Sequence, residues 1–289
     1  TIGHTDGTFT DAQFDHPQGM VLVDQTLYVA DTENHRVLRF DGIAGKTTGA
    51  PADAVIGQPD FITASTAANG ALLKTPYGLA LDQQGRLWVA DTGKNRIARY
   101  DAPLTMTPSD APSGTLGGVA SLSPSGMNQP KSLALSGSGR LWVLDSGFQR
   151  VMRFENAAAK PNGAAADGVI GAPTLNTSTQ VGRSRQSFYS PEGLFLDATG
   201  SLWVCDNNNA RLMKFVPTSS ALILQSGLDS AQKFTLTFEA LDPGTYELRS
   251  STDLKNWDLE STYQLTTGET RTFGDNKGGN RRFFRIDEP

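Results

Sequence analysis

TPYGLALDQQGRLWVADTGKNRIARY, residues 75–100, decides the fold. Its segments GLALD, RLWVAD and RIARYD are short and rich in branched and aromatic residues. Gly, Asp and Asn turn signals separate them, which predicts strands joined by tight turns. No apolar spacing of three and four residues runs over helical length. The stretch also recurs, as HPQGMVLVDQTLYVADTENHRVLRF (16–40), QPKSLALSGSGRLWVLDSGFQRVMRF (129–154) and SPEGLFLDATGSLWVCDNNNARLMKF (190–215).

The landmarks of the four units keep register. The prolines are Pro17, Pro76, Pro130 and Pro191. The aspartates are Asp31, Asp91, Asp145 and Asp206, each followed five residues later by Arg36, Arg96, Arg150 or Arg211. An Ile/Leu-Gly pair recurs at Gly3, Gly57, Gly117 and Gly171, with spacings of 54, 60 and 54 residues. The segments ending in AVIG or GVIG supply a fourth strand. Four strands per unit, repeated at a fixed period, predict propeller blades.

The pattern P-x-G…G-x-L-W-V-A-D-T-x-x-N-R-x-x-R-F resembles the NHL repeat. ENHRV (33–37) and GKNRI (93–97) match it best, whereas GFQRV and NNARL lack the Asn and Ser132 replaces the Gly after the third proline. The resemblance covers residues 1–217 and implies a β-propeller of four NHL-like blades. It implies little about activity, since NHL propellers include lyases, hydrolase-like enzymes and binding scaffolds. The fourth unit lacks its own AVIG strand, and the N-terminal TIG has the matching phase. The expected closure has residues around Thr1–Gly3 completing the last blade, which removes two exposed edges. Two alternatives remain: upstream blades absent from this chain, and an open edge that accepts a strand from a neighbouring molecule.

After Pro217 the repeat ends. KFTLTFEA, GTYELRSSTD, ESTYQLTT, TRTFGD and RRFFRID alternate apolar and polar residues, as half-buried strands do. Residues 218–289 therefore predict a small C-terminal β-sandwich of Ig or fibronectin-like type. YELRSSTDLKNWDLEST and the closing RRFFRID resemble a module attached to large exported bacterial proteins. That resemblance implies export and an extracellular or cell-surface location. Trp257 is expected in the core of this module.

Composition narrows the function. The 289 residues are 38% hydrophobic and 19% charged, with a net charge of −5 and no concentrated basic surface, so nucleic acid is an unexpected partner. No apolar run reaches the roughly 20 residues that span a bilayer, so no membrane insertion is expected. Cys205 is the only cysteine, which excludes an intramolecular disulfide. The chain starts at Thr1, consistent with removal of a leader or with a piece of something longer.

Recurrence in every blade marks the four Asp–Arg pairs as structural. Each Asp is expected to cap the turn after the second strand, and each Arg to reach a nearby carbonyl or carboxylate. Tyr28, Trp88, Trp142 and Trp203 share one position and are expected to pack between blades. Cys205 stands where Ala30, Ala90 and Leu144 stand, and is expected to be a small buried residue. His4, His16 and His35 are the only histidines, and the counterparts of His16 are Thr75, Gln129 and Ser190, so no histidine metal ring recurs. No Ser-His-Asp motif is recognisable. Asp24, Asp82 and Asp197 end the first strands and read first as turn residues, with a calcium site built from such carboxylates as the alternative; no other cofactor or metal is expected. The variable set is Gln18, Tyr77, Lys131 and Glu192, one after each proline. Equivalent positions with four chemistries at the channel mouth are how a ring builds an asymmetric ligand site.

The expected function is thus a non-enzymatic extracellular scaffold for recognition or assembly. It would take a protein or glycan partner, or self-assemble as a homo-oligomer through the C-terminal module or by strand exchange at the propeller edge. The alternative is an NHL-type lyase or lactonase-like enzyme with a metal at the central channel.

Overall fold

The computed structural model describes residues 13–66, 70–108, 110–177, 187–198, 200–216, 221–228, 234–240, 244–252, 256–266, 269–274 and 283–287. The chain divides into two compact units. The first comprises Thr1–Asp197 and Leu202–Lys214, the second Ala198–Ser201 and Phe215–Pro289.

The first unit is a succession of antiparallel sheets that follow the repeat. The first blade contains β1 (Pro17–Val23), β2 (Thr26–Asp31), β3 (Arg36–Phe40) and β4 (Ala54–Ile56), hydrogen-bonded in that order. The second contains β5 (Pro76–Leu81), β6 (Leu87–Asp91), β7 (Arg96–Tyr100) and β8 (Gly114–Gly117). The third contains β9 (Pro130–Leu135), β10 (Leu141–Asp145), β11 (Arg150–Phe154) and β12 (Gly168–Ile170). The fourth has three strands among the described residues: β13 (Pro191–Leu196), β14 (Leu202–Asp206) and β15 (Arg211–Phe215). The expected contribution of Thr1–Gly3 to this blade lies outside the described residues.

Register repeats from blade to blade: Ala30 pairs with Val37, Ala90 with Ile97 and Leu144 with Val151. Alternation along each strand gives every blade two apolar faces. The leading face of one blade packs on the trailing face of the next. Tyr28, Val37 and Ile56 meet Leu87, Val89, Ala98 and Tyr100 of the second blade. Trp88, Ala90, Ile97 and Leu116 meet Leu133, Leu141, Val143 and Met152 of the third. Tyr28 and Trp88 are buried, each contributing on the order of 2–3 kcal/mol.

Short 3-10 turns follow the aspartates at Thr92–Lys94, Ser146–Phe148 and Asn207–Asn209, and the next residue is left-handed: Asn95 at φ 54°, Gln149 at φ 56° and Ala210 at φ 49°. His35, the first blade's counterpart, has φ 57°. Asn adopts this conformation at little cost, which accounts for its place in the motif.

The second unit contains two three-stranded antiparallel sheets. One is ordered β16 (Ala221–Leu228), β17 (Phe234–Ala240), β20 (Thr270–Gly274); the other β19 (Asp258–Leu265), β18 (Gly244–Ser251), β21 (Phe283–Asp287). Both feed one core: Leu236, Phe238 and Phe273 from the first, Tyr246, Leu248, Leu265 and Ile286 from the second. This is a small sandwich. Trp257 lies outside that cluster, half-buried just before β19, contrary to its expected core position. The strand alternation runs from Asp258, so Trp257 belongs to the approach and not to the inward-facing set.

Candidate functional site

Each blade is locked by its own Asp–Arg pair, whose aspartate is buried. Arg Nε donates to the Asp carboxylate at 2.6 Å in the first blade and 2.7 Å in the other three. The other carboxylate oxygen accepts the backbone N–H of Asp15, Lys74, Asn128 or Tyr189, at 2.6–2.7 Å. Those amides belong to the segment leading into the blade's first strand, two residues before the proline. The aspartates thus tie strand one to strand two, where the sequence predicted a cap on the turn that follows. Two capping contacts do occur, but from side chains: Asn34 donates to Asp31 and Asn209 to Asp206. Each Arg continues to loop carbonyls, as Arg36 does to Gln13 and Phe61, and Arg150 to Gly126 and Leu175. Burial pushes the Asp145 carboxyl up to about 6 against the pull of the Asn128 amide and Arg150. Asp31 and Asp91 move in the same direction for the same first cause. In the first and third blades each guanidinium is thus bonded both to its aspartate and to loop carbonyls.

Successive blades are joined by a second set of polar contacts. Thr32, Thr92 and Ser146 hydroxyls donate to the carbonyls of Pro76, Pro130 and Pro191 in the following blade. His35 Nδ1 accepts from the Thr75 amide at 3.1 Å, and Asn95 Oδ1 from the Gln129 amide at 2.9 Å. Gln149 has the same place at the third junction, yet its Oε1 is buried without a partner. The first strands come so close that a Cβ on Gly19 would lie 2.1 Å from the Tyr77 carbonyl, and one on Gly78 2.7 Å from that of Lys131. At the third position Ser132 turns the contact into a bond, its Oγ accepting the Leu194 amide at 3.0 Å.

These junctions set the first strands side by side and align the variable residues that follow the prolines. Three of the four converge. Lys131 Nζ donates to both Glu192 oxygens, at 2.9 and 2.8 Å, across the third junction. The same ammonium lies 5.7 Å from the centre of the Tyr77 ring across the second junction. Gln18 is exposed on the first blade and makes no side-chain hydrogen bond among the described residues. The Lys131 and Glu192 side chains are 20% and 37% exposed, so the pair is worth about 1 kcal/mol or less and can exchange partners cheaply. Tyr77, Lys131 and Glu192 therefore offer an aromatic face, a cation and a carboxylate together, with the Gln18 amide exposed on the first blade.

A divalent cation is poorly served by this row. Its only carboxylate is held by a lysine, and the flanking groups are a phenol and an amide. Among the described residues no group of three or more His, Cys, Asp or Glu side chains is placed to hold a metal ion. A separate cavity of about 350 Å³ lies between the second and third blades, at the opposite ends of their first strands. Asp82, Arg86, Trp88, Leu135, Asn156 and Ala158 line it. Asp82 there already accepts from Arg86 at 2.6 Å and from the Trp88 indole at 3.0 Å. No helix of the described residues is long and apolar enough to cross a membrane.

Cys205 departs from its expected burial: it is exposed. Its counterparts Ala30, Ala90 and Leu144 are fully buried under a following blade, whereas Cys205 sits on the leading face of the fourth.

Residues 23–109 match the family described as SMP-30/Gluconolactonase/LRE-like region. The chain is 31% identical over 100 residues to Protein SUPPRESSOR OF QUENCHING 1, chloroplastic, of Arabidopsis thaliana, covering 34% of this chain and 9% of that protein. It is 41% identical over 46 residues to human NHL repeat-containing protein 2, covering 16% of this chain and 6% of that protein. The chain thus spans less than a tenth of the length of these curated relatives. Among solved structures, virginiamycin B lyase of Staphylococcus aureus is similar at 13% identity and a TM-score of 0.39, over 90% of this chain and 70% of that one. A protein of unknown function from Bacteroides thetaiotaomicron gives 16% and 0.43, over 86% and 57%. The sequence matches and the described sheets agree on an NHL-like, propeller-like all-β fold.

Proposed function

We propose that this chain is a non-enzymatic recognition scaffold, working outside the cell or at its surface, whose partner is a protein or a glycan. The reading is carried by one observation: the Asp–Arg pairs that recur in every blade are tied into the fold, while three of the four residues that vary, Tyr77, Lys131 and Glu192, converge on one another. An aromatic face beside a lysine–glutamate pair suits sugar hydroxyls or a mixed-charge peptide, through stacking and exchangeable hydrogen bonds. Acyl transfer or lyase chemistry needs a poised base or a Lewis acid beside the reacting atom. In this row the carboxylate is already neutralised, and no third ligand stands beside it. Export through the C-terminal module belongs to the same proposal.

The alternative is a lactonase-like or lyase activity with a channel metal, which the family match over residues 23–109 keeps in view. Metal analysis of the purified chain, with turnover assays on a panel of lactones, separates the two. The scaffold reading expects substoichiometric metal and no turnover. A stoichiometric divalent ion, with lactone hydrolysis lost in Glu192→Gln, overturns it. A glycan array then tests the row: Tyr77→Ala and the double variant Gln18→Ala/Lys131→Ala should each weaken the captured glycans at least tenfold.

A further inference from the structure

We propose that the cavity between the second and third blades binds one pyranose-sized sugar, as a site separate from the row at the other ends of the first strands. The inference goes beyond the scaffold reading and does not depend on it, because its test reads binding at different residues.

The cavity is built by the fold itself. Its volume of about 350 Å³ is at the small end of the roughly 300–1,000 Å³ typical of ligand pockets, room for a single ring. Arg99 holds the two walls together. Its guanidinium lies 5.6 Å from the centre of the Trp88 ring, and its Nη1 donates to the Ala158 carbonyl. On the second blade Asp82 spends both oxygens. Oδ1 accepts the Gln84 and Arg86 amides, each at 3.0 Å. Oδ2 accepts Arg86 Nε at 2.6 Å and the Trp88 indole at 3.0 Å. On the third blade the Ala157 amide donates to the Gly139 carbonyl at 3.0 Å.

The two walls differ in chemistry. With Asp82 spent, the second blade offers donors. Arg86 uses Nε on Asp82 and Nη2 on Gln84 Oε1, at 2.9 Å, and makes no further hydrogen bond among the described residues. Arg86 Nη1 and the Gln84 amide nitrogen remain. The third blade brings the apolar side chains of Leu135, Ala158 and Ala159, together with Asn156. The Asn156 side chain makes no hydrogen bond among the described residues and has both a donor and an acceptor to give. A ligand with a hydroxylated edge and a C–H face matches both walls, and a sugar ring has that form. Planar Arg, Gln and Asn groups bridge neighbouring hydroxyls, while Leu and Ala pack on the C–H face. A wholly apolar ligand would bury these amides unpaired. The formal charges of the lining, Asp82 and Arg86, cancel, so an anion gains no net attraction.

These groups are not demanded by the repeat. Asp197 accepts the Trp203 indole at 2.8 Å as Asp82 accepts that of Trp88, so that bond belongs to the fold. Arg86 does not recur with its free edge: Arg140, its counterpart in the third blade, is spent on Glu155 at 2.9 Å, and Ser201 stands there in the fourth. At the first junction Ala102 and Leu104 stand where Asn156 and Ala158 stand at the second. Asn156 is left-handed at φ 44°, like its first-blade counterpart Gly42 at φ 58°. The backbone requires that conformation, and Asn adds an amide to it.

Titrating the full chain with glucose, galactose, mannose and N-acetylglucosamine, followed by calorimetry, tests the proposal. The expected result is saturable binding of at least one of them, at one site per chain. Ala158→Leu fills the cavity with the side chain already carried at the first junction and should abolish binding. Asn156→Gly takes the residue of the first blade and should weaken binding at least tenfold. Circular dichroism checks that both variants remain folded. The methyl glycoside of the bound sugar separates two sources of the same chemistry: retained binding marks the end of a glycan chain, and lost binding marks a free monosaccharide. No saturable binding of any of the four sugars, binding that survives either substitution, or tighter binding of acetate than of the sugars overturns the proposal.

Discussion

The junction between the second and third blades and the free face of the fourth are built from the same motif, yet they are physically opposite. Ala90 and Ile97 are sealed under the next blade, while Cys205 and Leu212 face solvent. Arg150 is fully buried, whereas the side chain of Arg211 is one-quarter exposed. A repeat therefore specifies what a residue is shaped to contact, and its neighbour decides whether that contact is made. In quasi-repetitive folds the stabilisation resides largely in such interfaces.

That contrast can be broken experimentally. The largest effect should come from Arg150→Ala, which strands the buried Asp145 carboxylate and should cost about 3–5 kcal/mol in urea denaturation. Arg211→Ala removes a wetter partner and should cost less than half as much; equal losses would show that the terminal blade is as tightly sealed as the interior. Gly19→Ala forces a Cβ onto the Tyr77 carbonyl and should cost about 2–3 kcal/mol. Gly193→Ala has open space and should stay within about 0.5 kcal/mol of wild type. Thr92→Val leaves the buried Pro130 carbonyl without its donor, at roughly 1–2 kcal/mol, while Asn207→Ala, at an exposed position, should be silent. A stabilising change sharpens the comparison in the other direction. Gln149→Asn supplies the third junction with the side chain that works at the second, and should raise stability by about 1 kcal/mol. A destabilising Gln149→Asn would mean that the longer side chain is needed there for packing.

Much of the candidate row was legible beforehand. Gln18, Tyr77, Lys131 and Glu192 stand out because they vary at a position fixed by the prolines around them. That Lys131 pairs with Glu192 and lies over Tyr77, leaving Gln18 apart, was not legible. It depends on the spacing between first strands, which Gly19 and Gly78 set by letting backbones approach. The role of the aspartates was half legible. Their recurrence marked them as structural, but the amide each one accepts from lies about 16 residues earlier in the chain, and local turn rules point elsewhere. Cys205 and Trp257 were misplaced for one reason: their patterns describe an average member of a series, and both sit at its margin.

Sequence by itself determined the all-β class, the four units and the variable residues that follow their prolines. Those features follow from local alternation, turn chemistry and a fixed period, all of which act over a few residues. Only the tertiary structure decided which of four equivalent faces is covered, which arginine is dry, and which lysine finds a carboxylate. Burial and ion pairing depend on what the next blade brings to within a few ångströms, and the last blade has no next blade among the described residues.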